Sequence, residues 1–358
     1  MSPRREGFII AVTLLVMLLL EVLAGGMLLV ALHERVVATA RNDVTTARAR
    51  AETAIAREVG AWKHGEFHRM RVGEVRAIES DSTSVRIERL RGDLFLLAGT
   101  APLRPGASSG GFGRAFLLLR AFDTQMLLQQ LTGALVLAAP AQLLGDTRVA
   151  GALSTDCEWT GGPPAGVATT RPDMLTVGTA AEVAGLPPVL LDTFPREPAP
   201  RLAGLSLSEI AALADRTATG AITPAPALLN GNCDKGHPAN WGTPLESEHP
   251  CADYVPFIYA DGDLEIAGGA GQGLLVVTGN LVVRHGATFN GVIVAGGSVL
   301  IANATVRGAI YARSPSDPAV LLDASVLFEP CAINAALFSP PLLHRPLFPP
   351  GRIWLPAH

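Results

Sequence analysis

The most persistent pattern along the chain is an unbroken apolar run, Phe8 to Leu32 (FIIAVTLLVMLLLEVLAGGMLLVAL), in which Glu21 is the single charge. As a helix rising about 1.5 Å per residue, it is long enough to cross a hydrocarbon core of roughly 30 Å. Each Phe, Ile, Leu or Val contributes about −0.3 to −0.6 kcal/mol to insertion, against about 3 kcal/mol for one carboxyl, so the sum favours a membrane span. Arg4 and Arg5 precede the run and Arg35 and Arg41 follow it, which nearly ties the positive-inside count. Cysteine usage and the β-rich remainder favour a translocated C-terminal region, with about seven residues left inside. The competing reading is a cleaved signal cut near Ala38-Thr39-Ala40, but signal cores span only roughly 7 to 15 residues.

From His33 to Val59 the pattern becomes helical and amphipathic. Proline and glycine are absent, and Val37, Ala40, Val44, Ala47, Ala51 and Ile55 recur every three or four residues. Joined to the apolar run, this predicts a rod of about 50 residues and roughly 75 Å, with Arg41, Arg48, Arg50 and Arg57 on its solvated side. The stripe packs either on partner helices or on the protein's own body, and Gly60 and Gly65 end the helix.

Residues 66–135 carry short strand-like runs such as Ser84-Val85-Arg86-Ile87 and Asp93-Leu94-Phe95-Leu96-Leu97, separated by Gly and Asp turns. Ser108 to Gly113 is glycine-rich, but no Gly-Lys-Ser/Thr follows, so it reads as a loop and not a phosphate cradle. A Pro-rich excursion near 160–230 contains one predicted helix, Leu205 to Asp215, with Ser206 and Glu209 forming a capping box.

Between Ile258 and Phe328 glycines recur almost evenly. Gly262, Gly279 and Gly297 stand 17 and 18 residues apart, and Gly273, Gly291 and Gly308 form a second phase at the same spacing, each followed by an apolar run. A short period of β-branched runs and glycines predicts a right-handed β-helix-like solenoid whose glycines make tight turns between rungs. Ala134 to Leu137 and Thr147 to Leu153 add candidate earlier rungs. The Pro-rich tail from Ser339 is expected to lie irregularly over the solenoid end.

Cys157, Cys233, Cys251 and Cys331 make an even set suited to disulfides outside the cytoplasm. Of three connectivities, Cys233 with Cys251 and Cys157 with Cys331 is favoured, the first closing a short loop. The rival is a zinc site of Cys233, His237, His249 and Cys251, whose spacings are not those of a common finger. Catalysis has only Asp261 and Asp263 to offer, two apart beside a turn glycine. No Ser-His-Asp elbow, His-Glu-x-x-His or nucleotide fingerprint is present, so the chain reads as a non-enzyme with no cofactor and no metal. Asn303-Ala304-Thr305 fits a glycosylation sequon. With a net charge of −4 and 17% charged residues, no basic field exists to collect phosphates, which argues against nucleic acid as a partner.

Arg5-Glu6-Gly7-Phe8 ahead of the apolar helix resembles the leader of type IV prepilins, particularly the PilX-like minor pilins. The run Cys233, Asn240-Trp241-Gly242-Thr243-Pro244, Cys251, Tyr259 to Leu264 and Gly271 to Leu274 resembles the body of PilX-like pilus assembly proteins. The resemblance implies cleavage after Gly7 by a prepilin peptidase, N-methylation of Phe8 and helix packing among other pilin-like subunits. The fifth residue after that cut is Val12 where major pilins carry Glu, and Glu21 holds the intramembrane acid instead, a group that could meet a neighbour's N-terminal amine.

The expected organisation is therefore a leader (1–7), a transmembrane helix in membrane lipid (8–32), a stalk helix (33–60), a β-rich region (61–160), the excursion (161–232), a disulfide loop with solenoid rungs (233–338) and a tail (339–358). The function this predicts is a bacterial inner-membrane, single-pass minor pilin-like subunit displaying its body in the periplasm or at the cell surface. The alternative is a tethered surface-binding or adhesion module outside any fibre.

Overall fold

A computed structural model of the chain describes residues 4–67, 69–80, 82–103, 111–151, 157, 159, 163–193, 201–244, 246–349 and 354–355, with residues 4–9, 64 and 354–355 described by backbone alone. The protein is mainly β with one long apolar N-terminal helix, Arg4–Gly60. At 57 residues that helix is about 85 Å long. Every side chain from Ile10 to Val36 is exposed, and the first buried one is Ala47. The amphipathic stripe therefore divides: Ala47, Ala51 and Ile55 are buried, whereas Ala40 and Val44 face outward.

What covers the second part of the helix is an antiparallel sheet of Val75–Ser80, Thr83–Arg91, Leu94–Pro102 and Phe112–Arg120, in chain order. Strand Leu94–Pro102 buries Phe95, Leu97, Gly99 and Ala101 at alternate positions, the period-two pattern of a sheet with one covered face. These side chains close a core with Ala51, Ala54 and Ile55 of the helix. The tail from Ser339 is irregular at first and buries Leu343 in the core of the parallel sheets, but its end reaches the antiparallel sheet. Trp354–Leu355 pairs antiparallel with Leu117 and Phe116, and Leu347 bridges Arg120, so the tail occupies the open edge of this sheet. Unpaired N–H and C=O groups on an edge strand favour such covering.

The rest of the body consists of two parallel sheets between which the chain alternates. Phe257–Ala260, Ala270–Val277, Thr288–Ala295 and Thr305–Ala312 lie in one; Leu264–Ala267, Leu281–Arg284, Val299–Ala302 and Ala319–Leu322 lie in the other. Register is regular, with Val276 beside Val294 beside Tyr311, and Leu281 beside Val299 beside Ala319. Helix Pro330–Phe338 packs across the outside of the first sheet.

Spatial order departs from chain order. Gly133–Leu137, Ala141–Leu144 and Arg148–Ala150 pair with Thr305–Ala312, Ala319–Leu322 and Ser325–Leu327, so the first strands of the body stack beyond the last repeat. Parts of the Pro-rich excursion join the two sheets: Ala165–Thr169, Leu175–Val177, Glu182–Ala184 and Val189–Leu191 extend that end, while Arg216–Thr217 and Gly220–Ile222 form the opposite edge. The ribbon of Arg201–Leu202 with Leu205–Ser206 and helix Leu207–Ala211 stand outside them. Pro164 and Pro188 stand immediately before strands, where a missing N–H is tolerated.

Gly262, Gly279 and Gly297 connect strands of the two sheets. Gly273, Gly291 and Gly308 do not make turns: they are register partners in mid-strand, with φ of 122°, 139° and 137°. A Cβ on Gly291 or Gly308 would fall on the carbonyl oxygen of the preceding glycine in the stack. At Gly308 the strand bends, so that Thr305, Val306 and Arg307 pair with Ser325–Leu327 while Ile310, Tyr311 and Ala312 pair with Gly133–Leu137.

Candidate functional site

The feature with the plainest physical meaning is the projecting helix and its attachment. The helix is long and apolar enough to cross a membrane by length and composition, and its apolar window has no buried residue. Glu21 is exposed within that surface, flanked by Leu18, Leu20 and Val22 at 60 to 65% exposure. Gly7 and Phe8 belong to the helical backbone, and they are described by backbone alone.

Attachment depends on two glycines that the sequence pattern did not single out. Gly99 lies against the helix so closely that a Cβ would stand 2.7 Å from the carbonyl oxygen of Ala51; at Gly113 it would stand 2.6 Å from the Cβ of Ala47. Here glycine is required by close approach of sheet to helix. Arg50 is not solvated as expected: its Nη2 donates to the carbonyls of Pro102 (3.0 Å) and Leu103 (3.2 Å). Arg48 does face water and pairs with Glu52 at 2.9 Å.

A buried ion network fastens the antiparallel sheet to the segment 201–211. Arg120 donates through Nε and Nη2 to Asp93 Oδ2 (3.0 and 2.8 Å), through Nη1 to both carboxylate oxygens of Glu209 (2.6 and 2.7 Å), and to the carbonyl of Gly204. Arg91 adds a bidentate pair to Asp93 at 2.7 and 3.1 Å. Burial works to raise the Asp93 carboxyl, but Arg91 and Arg120 outweigh it and hold the group below its ordinary range. Glu209 is lowered too, burial being outweighed by hydrogen bonds from Ser206 and by Arg120. The Ser206–Glu209 capping box is present on helix Leu207–Ala211 and at once feeds this network. Sequence could have hinted at Asp93 and Arg120 only as charges at the ends of apolar runs, Asp93 in the turn before Leu94–Pro102 and Arg120 closing Phe112–Arg120.

Disulfides join Cys233 to Cys251 and Cys157 to Cys331. With Sγ of Cys233 and Cys251 bonded to each other, His249 turns to structure, its Nδ1 accepting from the backbone of Cys251 at 3.1 Å. Among the described residues no group of three His, Cys, Asp or Glu could hold a metal ion. The turn acids are engaged as well: Asp263 Oδ1 accepts from the backbone N–H of Asn280 (2.7 Å), and Asp261 Oδ1 from the hydroxyl of Thr278 (3.2 Å). One layer on, Asn280 accepts from Ser298 in the same way, so these positions form a ladder bridging successive turns. Asn303 occupies an exposed corner at φ 48°. Ser108 to Gly110 of the glycine-rich loop, and Ala152 and Leu153 of a candidate rung, lie outside the described residues.

No protein-family profile, no curated protein and no solved structure matches this chain.

Proposed function

We propose that the protein is a non-enzymatic, membrane-anchored structural subunit of the minor pilin type, PilX-like in its leader, which displays its body outside the cytoplasm. The observation that carries this reading is the division of the helix. Its first part, through Leu32, is apolar but for Glu21 and uncovered from Ile10 on, and its second part, from Ala47, is roofed by an antiparallel sheet held at the close contacts of Gly99 and Gly113. A helix that is hydrophobic all round needs lipid or other helices around it. A subunit built this way inserts by one half and carries its folded body on the other.

In this reading the two parallel sheets are faces of one right-handed solenoid. Support comes from the regular alternation of strands between sheets, the in-register glycine stack and the Asp263–Asn280–Ser298 ladder. Prepilin peptidase cuts after Gly7, Phe8 becomes the methylated N-terminus, and other pilin-like subunits surround the helix. Two disulfides suit a periplasmic or surface location.

The second reading, a tethered surface-binding module that never enters a fibre, is favoured by Val12 at the position where major pilins carry an acid. Cell fractionation with protease shaving tests what the readings share. Both require the chain to resist carbonate extraction from the inner membrane and its body to be cut in spheroplasts without lysis. Recovery in the soluble fraction, or protection of the body until lysis, overturns both.

A further inference from the structure

Beneath helix Pro330–Phe338 lies a cleft of about 200 Å³ on the outer face of the first parallel sheet, lined by Val255, Gln272, Asn290, Arg307, Glu329 and Cys331. Gln272, Asn290 and Arg307 are register partners on three successive strands, so their side chains form a row repeating about every 4.8 Å. Glu329, the N-cap of the helix, faces this row, and the Cys157–Cys331 disulfide ties down the start of the helix that roofs it. Gln272 is anchored, its Nε2 donating to the carbonyls of Ala252 (2.7 Å) and Tyr254 (3.0 Å). Asn290 Oδ1 is buried with no hydrogen-bond partner, an acceptor that calls for a donor. Arg307 is exposed and in no ion pair among the described residues.

We propose that this cleft is a binding site for a single sugar ring of a saccharide. Its lining offers guanidinium and amide donors together with amide and carboxylate acceptors, the mixture that hydroxyl groups satisfy from both sides. Arg307 on the sheet and Glu329 at the helix start put a cation and an anion on facing sides of the cleft, which disfavours a purely anionic or cationic ligand. No aromatic side chain is among the lining residues, so a nucleobase finds no stacking surface. The volume is below the roughly 300–1,000 Å³ of sites for larger molecules and matches one ring. Binding here does not depend on whether the chain enters a fibre, because the cleft lies on the body, away from the projecting helix.

The test uses the full chain in nanodiscs, free of glycoside detergents, and saturation-transfer NMR with the methyl glycosides of glucose, galactose, mannose and N-acetylglucosamine, each alone. The expected result is saturable, millimolar binding of at least one glycoside, weakened about tenfold or more by Arg307→Ala and by Asn290→Ala. Arg307 is exposed, so R307A leaves the unfolding temperature unchanged, and Gln142→Ala on the outer face of the other sheet leaves binding unchanged. No saturable signal from any glycoside, binding equal in wild type and both variants, or binding of glycine or serine in place of sugars overturns the proposal.

Discussion

Cys157 and Cys331 stand 174 residues apart in the chain and 5.3 Å apart at their Cα atoms. Their disulfide sits where the last repeat gives way to the first strands of the body: Phe328 donates to the carbonyl of Ala150 at 2.8 Å, and the rings of Trp159 and Phe328 meet edge to face at 4.9 Å. The stack continues across this seam although the backbone does not. A covalent tie here substitutes for chain continuity, which is why the larger effect of the two disulfides is expected from this one.

Removing each bridge separately tests that ranking. In the chain-entropy picture a loop of 174 residues contributes about 5 kcal/mol and one of 18 about 3 kcal/mol. Cys157→Ala with Cys331→Ala therefore lowers the denaturant midpoint more than Cys233→Ala with Cys251→Ala. The reverse order in equilibrium unfolding contradicts the seam.

The glycine stack yields a sharper contrast. Gly291→Ala places a methyl on the carbonyl oxygen of Gly273 at φ 139°, within a strand paired on both sides, and should cost about 3 kcal/mol or more. Gly286→Ala, at φ 74° with nothing within 4 Å, should cost about 1 kcal/mol. Thermal unfolding of the two variants separates them; equal losses would mean that backbone conformation alone sets the cost.

Attachment of the helix is tested at Gly99. A Val side chain there collides with the Ala51 carbonyl and Ile55, so Gly99→Val should destabilise by about 1–3 kcal/mol and open the helix–sheet seam to protease. Gly65→Ala, in open space, serves as control. Unchanged proteolysis in G99V counts against the close approach.

The Arg120 network makes stability depend on acidity. Asp93 and Glu209 are held below their ordinary pKa, so each contributes stability that is present above the unfolded carboxylate range and lost as pH falls through the folded value. Arg120→Met leaves two carboxylates in the seam without their shared partner and should cost about 3–5 kcal/mol at pH 7, with a smaller loss at pH 3. Asp215 runs the other way. Burial raises it above its ordinary value, outweighing the Phe257 N–H and the charges of Arg216 and Lys235, so its stabilising effect is present at low pH and lost as pH rises. Asp215→Asn should raise the unfolding temperature at pH 7 and leave it unchanged at pH 3.

Much of this architecture was legible because it is periodic. The apolar run and stalk announce one helix, and the 17- and 18-residue glycine spacing announces parallel strands between Phe257 and Leu327. What periodicity could not carry was order in space. Pairing of Leu135 with Ile310 leaves no mark on either segment, since any β-branched run fits either side of the seam. Prolines near 160–230 suggested loops, yet Pro164 and Pro188 stand immediately before strands. Gly99 and Gly113 were hidden among many glycines, because what sets them apart is the helix lying over them and nothing in their neighbours in sequence. The lining of the cleft was equally silent: Gln272, Asn290 and Arg307 are three different residue types brought into one row by register.

The most direct test of the central claim is mass spectrometry of the N-terminal peptide of protein recovered from its native host. The account predicts a chain that begins at an N-methylated Phe8. An intact Met1 or Ser2, or a start near Arg41, contradicts it.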